Sequence, residues 1–217
     1  QSVEDICFID NYFYVIPKNE NAIYRFSKKE KHKKYFASSY KIKGQFLHTN
    51  KISDTIYIKT TEAVYVLLNE NFNLLVSNDE LNYCDIRCFY IDKKNTLWIG
   101  TANDGIFYKK INDKNWFNID SSKGIQSNNI MSIIDDVNGN IWIGLANGIC
   151  HFDGNSFINF DEGDGLAGNT QHMNSVVKSK NKIYFGCSNG ISIIDPNNGK
   201  VNSSPPEVVL TGIRCRE

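Results

Sequence analysis

Three near copies of one pattern recur along this 217-residue chain. They are Leu97-Trp98-Ile99-Gly100-Thr101-Ala102-Asn103-Asp104-Gly105-Ile106-Phe107, Ile141-Trp142-Ile143-Gly144-Leu145-Ala146-Asn147-Gly148-Ile149-Cys150-His151-Phe152-Asp153 and Ile183-Tyr184-Phe185-Gly186-Cys187-Ser188-Asn189-Gly190-Ile191. Each reads as two short apolar strands joined by a glycine-bounded corner. Gly100 and Gly144 stand 44 residues apart, Gly144 and Gly186 stand 42 apart. A period in the low forties with four strand-like runs per unit is the signature of propeller blades rather than of helical repeats. Two fainter copies precede these three. In one, Ile56-Tyr57-Ile58-Lys59 is followed by Ala63-Val64-Tyr65-Val66, with Lys59 in the glycine's place; in the other, Phe13-Tyr14-Val15-Ile16 is followed by Ala22-Ile23-Tyr24. The fold expected is therefore all-β, a β-propeller of four-stranded antiparallel blades with about five blades present.

The expected units are 1–40, 41–80, 81–122, 123–165 and 166–204. In unit four, strands at 130–134, 141–143, 149–152 and 157–160 surround the turn Asp136-Val137-Asn138-Gly139-Asn140, where Asn-Gly offers the positive φ angles of a tight hairpin. That turn has neither the alternating acidic spacing nor the distal Glu of a calcium loop, so it reads as a hairpin. In unit one the basic run from Lys28 to Lys34 reads as a solvated turn that guards a blade edge, with an anionic-ligand patch as the alternative. Unit five ends in a short run near 200–201. Ser203-Ser204-Pro205-Pro206 then breaks the pattern, because paired prolines cannot donate to a ladder. Residues 205–217 are expected to be a linker and the first strand of a further domain.

Composition narrows the function. Lys+Arg 24 against Asp+Glu 24 leaves no net charge, which removes the driving force of non-specific nucleic-acid binding. No apolar run approaches the ~20 residues that span a bilayer, and no leader stands at Gln1, so any signal or membrane segment is expected outside this sequence. The six cysteines form no CxxC pair. Cys84 and Cys88 on one extended strand would lie roughly 13 Å apart, too far for a disulfide, so the cysteines read as small buried hydrophobes.

Antiparallel strands sort the loops between two faces. The corner between the second and third strands shares a face with the blade-to-blade linker, and the first hairpin lies opposite. The long-loop face therefore carries the corners at Asn103, Asp104, Asn147 and Asn189, together with the linkers 120–129 and 161–171. These loops are rich in Gly, Asn, Ser and Asp, which suits hydrogen bonding to a polar ligand such as a sugar. Arg87, Asn128 and His172 stand at or near the start of innermost strands, close to the central channel. The candidate ligand-binding set is Arg87, Asn103, Asp104, Asn128, Asn147, His172 and Asn189. For the asparagines the competing reading is turn geometry, and for Arg87 and His172 it is structural pairing. Trp98, Trp142 and Tyr184 share one repeat position and are expected to pack between blades.

No catalytic constellation emerges. Asp85, Asp104, Asp161, Glu162 and Asp164 have no spacing that fixes a carboxylate pair, and the chain has no nucleophile elbow, phosphate-cradling loop or zinc spacing. No enzyme activity, metal or cofactor is expected in this segment.

Gly124-Ile125-Gln126-Ser127-Asn128, followed by Asn129-Ile130 and by Asn140-Ile141-Trp142-Ile143-Gly144-Leu145-Ala146-Asn147-Gly148-Ile149, resembles the two-component regulator propeller. That family reads as a Gly-Leu-Pro-Ser-Asn linker, an apolar strand, an Asp-Gly-Asn hairpin, Leu-Trp-Ile-Gly-Thr, a Gly-Leu corner and a Phe-Asp ending. Pro205-Pro206-Glu207-Val208-Val209-Leu210-Thr211-Gly212-Ile213 is similar to the first strand of the Ig-like domain that follows such propellers. The resemblance implies the periplasmic sensor region of a membrane histidine kinase, often a hybrid carrying its own response regulator, in bacteria that degrade polysaccharides. An oligosaccharide ligand, signalling through the Ig-like domain and kinase region, and contact with the membrane only through the full-length parent are implied with it. Lys59 replaces the corner glycine, Gln126 stands where proline is usual, and five units fall short of the family's seven blades. The chain is then a partial seven-bladed ring, a five-bladed ring, or an arc that pairs its open edges with a second copy as a homodimer. The alternatives to glycan sensing are a protein-interaction propeller and a glycan-cleaving one.

Overall fold

The computed structural model describes residues 3–9, 12–17, 23–27, 34–37, 46–52, 55–68 and 71–197. Unit one contributes β1 (Val3–Ile9), β2 (Tyr12–Pro17), β3 (Ile23–Ser27) and β4 (Lys34–Ala37), and unit two β5 (Phe46–Ile52), β6 (Thr55–Thr60), β7 (Ala63–Leu68) and β8 (Asn71–Ser77). Unit three holds β9 (Ile86–Ile91), β10 (Thr96–Thr101), β11 (Ile106–Lys110) and β12 (Phe117–Ile119), and unit four β13 (Ile130–Asp135), β14 (Ile141–Leu145), β15 (Ile149–Phe152) and β16 (Phe157–Phe160). Unit five shows β17 (Gln171–Ser179), β18 (Lys182–Cys187) and β19 (Gly190–Ile194). Each unit is one antiparallel sheet whose strands pair in chain order, four strands in units one to four and three in the described part of unit five. The chain is an all-β propeller array. The closing run near 200–201, most of the basic run and the expected Ig-like strand lie outside the described residues.

Apolar layers between successive sheets hold the array together. Tyr14, Ile56, Ile58 and Phe72 fill the seam between units one and two. Val64, Val76, Leu81, Ile86, Phe89 and Leu97 fill the next. Ile106, Ile130, Ile141, Ile143 and Leu145 pack units three and four, and Trp142, Ile149, Ile183 and Phe185 pack units four and five. Full burial of such a side chain is worth about 1.5–3 kcal/mol, so these layers outweigh any surface interaction in the molecule.

The repeat glycine sets how close the sheets approach. A Cβ on Gly100 would lie 2.5 Å from Ile130 Cγ2 of the next sheet, and one on Gly144 would lie 3.3 Å from Phe185 Cε1 of the sheet after that. With no side chain in the way, β9 runs beside β13, as β13 does beside β17. Lys59 breaks this rule. Its side chain is 1% exposed, and between β5 and β9 the neighbouring innermost strands come less close. Burial lowers the Lys59 pKa to about 8; nearby Cys88 and Asp85 pull it back up and Arg87 pushes it further down.

The hairpins use an aspartate. Asp136 Oδ1 accepts from the amides of Asn138 and Asn140, and Asp92 Oδ1 accepts from those of Lys94 and Thr96. Gly139 takes a positive φ of 83° while Asn138 does not. The Asn-Gly pair is thus not a doubly left-handed turn as the sequence suggests; the Asp136 side chain closes the first part of the loop, and only Gly139 needs the left-handed region.

Candidate functional site

The innermost strands are irregular near their starts. In β9 the register jumps from Cys88 to Ile86 and skips Arg87; in β13 it jumps from Ser132 to Ile130 and skips Met131; in β17 it is broken between Gln171 and Val176, the stretch that holds His172. Such bulges leave a residue out of the ladder and re-aim its side chain. Arg87 Nη1 donates to Asn129 Oδ1 at 3.1 Å and approaches Met131 Sδ at 3.8 Å, while its Nε lies 4.0 Å from Asp85 Oδ2. Arg87 therefore ties one bulge to the start of the next unit. His172 is exposed.

The corners and linkers do share a face, and backbone bonds fix them to each other. The amides of Ala102, Ala146 and Ser188 donate to the carbonyls of Asp85, Asn129 and Thr170, and those of Gly105 and Gly148 donate to Asn128 and Asn169. The corners of units three and four are thus held from both sides, by the entry of their own innermost strand and by the following linker, and the corner of unit five by the entry of its own strand. Asn103, Asn147 and Asn189 stand exposed at the tips. Asp104 is exposed too, but its amide donates to Thr101 Oγ1 at 2.9 Å and its carbonyl accepts from Asn118 Nδ2 at 2.8 Å. Burial, and then a hydrogen bond to Asp104, pushes the Cys84 thiol up to about 11.

Asn128 is a clasp within its linker. Its Oδ1 accepts from the Ser121 amide at 2.6 Å, where the 3-10 turn Ser121–Lys123 begins, and Asn169 Oδ1 accepts from Glu162 one unit later at 2.8 Å. The structure thus brings Arg87 and Asn128 to the entry of units three and four as engaged groups. It spreads Asn103, Asn147 and Asn189 along one face as unburied ones.

A cleft of ≈ 330 Å³ opens on the other face, between units three and four. Trp98, Tyr108 and Phe117 stand in register across β10, β11 and β12 and form a stack, with ring centroids 4.7 and 5.4 Å apart. Phe152 of unit four meets Trp98 edge-on at 6.3 Å and stacks on Phe157 at 4.4 Å. Lys94, Lys110 and Asp113 bring polar groups to the rim. Sequence reasoning placed Trp98, Trp142 and Tyr184 between blades; the two tryptophans are there, whereas Tyr184 is only half-buried between the exposed Val177 and Ile193, and the cleft was missed. The signal was present in the alternation that puts Trp98, Tyr108 and Phe117 on one face of three successive strands.

Among the described residues no group of three or more His, Cys, Asp or Glu side chains is placed to hold a metal ion. No described helix is long and apolar enough to cross a membrane.

The chain matches the two-component regulator propeller family over residues 80–103 and 124–147. Histidine kinase P4 of Formosa agariphila is 22% identical over 204 residues, which cover 85% of this chain and 15% of that protein. The extracellular domain assigned to a hybrid two component system of B. thetaiotaomicron superposes with a TM-score of 0.70 at 19% identity, over 90% of this chain and 28% of that one. Virginiamycin B lyase from Staphylococcus aureus superposes with a TM-score of 0.63 at 14% identity, over 90% of this chain and 67% of that one. The chain thus spans a minor part of the sensor proteins it matches. The likeness to a lyase shows that the fold alone does not choose between sensing and catalysis.

Proposed function

The chain carries repeats of the two-component regulator propeller, and from that premise we propose that it is a non-catalytic, periplasmic sensing segment of a membrane-bound histidine kinase that binds an oligosaccharide on its long-loop face. The observation that carries this reading is the row Asn103, Asn147 and Asn189: three exposed amides at one repeat position, on corners braced by backbone bonds. A side-chain amide offers both donors and an acceptor, which matches the alternating hydroxyl chemistry of a sugar. Rigid corners keep the ordering cost of binding low. The name of the Formosa agariphila relative, a histidine kinase, supports the signalling role.

Transmission would follow as a population shift, the ligand favouring one arrangement of the propeller and its C-terminal Ig-like neighbour over another. The test is calorimetric titration of plant and host oligosaccharides into this protein and into Asn103→Ala, Asn147→Ala and Asn189→Ala. Binding of one saccharide, weakened by two or more of these substitutions, supports the reading. A folded protein that binds no saccharide, or binds one equally well after all three substitutions, overturns it.

A further inference from the structure

We propose that the cleft between units three and four is a second binding site, on the face opposite the long loops, for a neutral pyranose mono- or disaccharide. The proposal takes its ligand class from the sensor reading, but its location rests on the cleft alone.

The geometry comes first. A volume of ≈ 330 Å³ sits at the small end of small-molecule sites, ~300–1,000 Å³, and fits one or two sugar rings rather than a long chain. Its wall is the stack of Trp98, Tyr108 and Phe117, which deepens from an exposed ring to a buried one. Phe117 ends the stack at 56% exposed, Tyr108 is half-buried and Trp98 is buried. Phe117 stacks one face on Tyr108 and stays 56% exposed, and the apolar C–H face of a pyranose lies flat against such an open ring.

The polar groups decide the ligand's charge. Three lysines (Lys94, Lys109, Lys110) and three aspartates (Asp92, Asp113, Asp153) line the cleft, so the site carries no net charge. Several of these groups are already committed. Asp92 accepts from two amides and the Trp98 indole, Asp153 accepts from Asn155 and Ser156, and Lys109 lies over the Trp116 ring at 4.6 Å. Lys110 Nζ donates to the Lys94 carbonyl at 2.8 Å and to Thr96 Oγ1 at 3.0 Å, leaving one donor. Lys94 reaches over the Gly139 turn of unit four, its Nζ 3.7 Å from where a Cβ would stand. The open groups are thus the Lys94 ammonium, the third Lys110 donor and the exposed Asp113 carboxylate. Donors and an acceptor around an aromatic wall recognise hydroxyls, not an ion.

The three tryptophans give a readout tied to place, because Trp98 lines the cleft and Trp142 does not. Maltose, cellobiose and laminaribiose would be titrated into ¹⁵N-labelled protein while the indole N–H signals are followed. The expected result is that one disaccharide moves the Trp98 signal and leaves Trp142 still, and that Phe117→Ala weakens this binding about tenfold. Phe117 is exposed, so that variant keeps its fold, and Asp113→Ala provides a second with the same expectation. A disaccharide that binds without moving Trp98, or whose affinity survives both substitutions, overturns the proposal and leaves the long-loop reading standing. Binding that moves Trp98 and survives loss of the three corner asparagines supports the cleft alone, and no binding of any saccharide overturns both.

Discussion

The indole Nε1 of Trp98 donates to Asp92 Oδ2 at 3.0 Å, joining the first residue of a hairpin turn to the middle of the next strand. One unit later Trp142 Nε1 donates to Asp136 Oδ2 at 3.2 Å, and the other oxygen of each aspartate accepts from two turn amides. A single buried carboxylate therefore satisfies three donors at Asp92 and four at Asp136, where Asn140 Nδ2 also donates to Oδ2 at 3.1 Å. Replacing Asp136 by Ala leaves them unpaired, at about 1–3 kcal/mol for each group that water does not reach. Asp136→Ala and Asp92→Ala are each expected to lower stability by about 2–4 kcal/mol, read as the midpoint of urea unfolding. Loss under 1 kcal/mol would show that water replaces the carboxylate.

This pairing also shows what the sequence reveals and what it hides. The period, the strand order and the burial of Trp98 and Trp142 follow from the sequence, because both residues sit in short, mostly apolar runs, β10 and β14, that are buried on both faces. The Asp-to-Trp bond does not, since it depends on how far the hairpin folds back. Asn128 and Arg87 show the same limit. Their positions at or near the starts of β9 and β13 were legible, but their partners, Asn129 and the Ser121 amide, lie across loops whose shape no local pattern encodes. The cleft was missed for a further reason: it belongs to two units at once, and a repeat read one unit at a time has no inter-unit space.

Lys59 carries a pH signature. Its folded pKa of about 8 lies below the ordinary 10.5, so the folded state releases this proton first. Below pH 8 the lysine is charged in both states and the cost of burial is fully present. Between pH 8 and 10.5 the unfolded chain binds more protons, and stability rises with pH. The gap corresponds to about 3 kcal/mol. Lys59→Met is expected to be more stable than the parent at pH 7 and to lack that rise, measured by chemical unfolding at pH 7, 8, 9 and 10. A rise of the same size in both proteins would assign it to other groups.

Asp135 is fully buried at the end of β13, between the innermost strands of its neighbours. Tyr90 Oη of unit three donates to its Oδ1 at 3.0 Å, and Lys178 of unit five pairs with the same oxygen and donates to the Asp135 carbonyl at 2.9 Å. Three units thus meet on one carboxylate. Lys178→Met removes the countercharge and leaves a buried anion, which costs about 3–5 kcal/mol. Tyr90→Phe removes one hydrogen bond to a charged group and costs about 1.5–3 kcal/mol. Asp135→Leu combined with Lys178→Met should recover most of the loss from Lys178→Met alone. A double variant no better than that single one would mean that the pair positions the strands beyond balancing charge.

Cys84, Cys88, Cys150 and Cys187 are free and buried. Burial pushes Cys88 and Cys150 up to about 12 and is the largest contribution to raising Cys84. Because the thiolate is the reactive form, Cys84, Cys88 and Cys150 are inert in the fold at neutral pH, and burial alone shields Cys187. In native protein these four thiols are expected not to react with an aromatic disulfide reagent within minutes, and all four to react in denaturant. Reaction of two or more of these four in native protein would show that the seams between units open on that timescale.

Among the described residues, unit five leaves exposed the face that units three and four bury. Ile106 and Ile149 are 0% exposed where they pair with Gly100 and Gly144, whereas Ile191, which pairs with Gly186, is 62% exposed. Val177 and Ile193, on either side of Tyr184 across the sheet, are exposed as well. In units three and four this face lies against the sheet that follows, so the same apolar pattern here is a surface shaped for another sheet. A chain of these 217 residues is expected to bind an apolar dye and to self-associate as its concentration rises. The double variant Ile191→Ser, Ile193→Ser should cut the dye signal several-fold and shift sedimentation toward the monomer, with little change in unfolding midpoint because neither side chain is buried. If the variant instead loses stability on the scale of a buried isoleucine, about 2–5 kcal/mol, the face is covered within the chain and the array closes on itself.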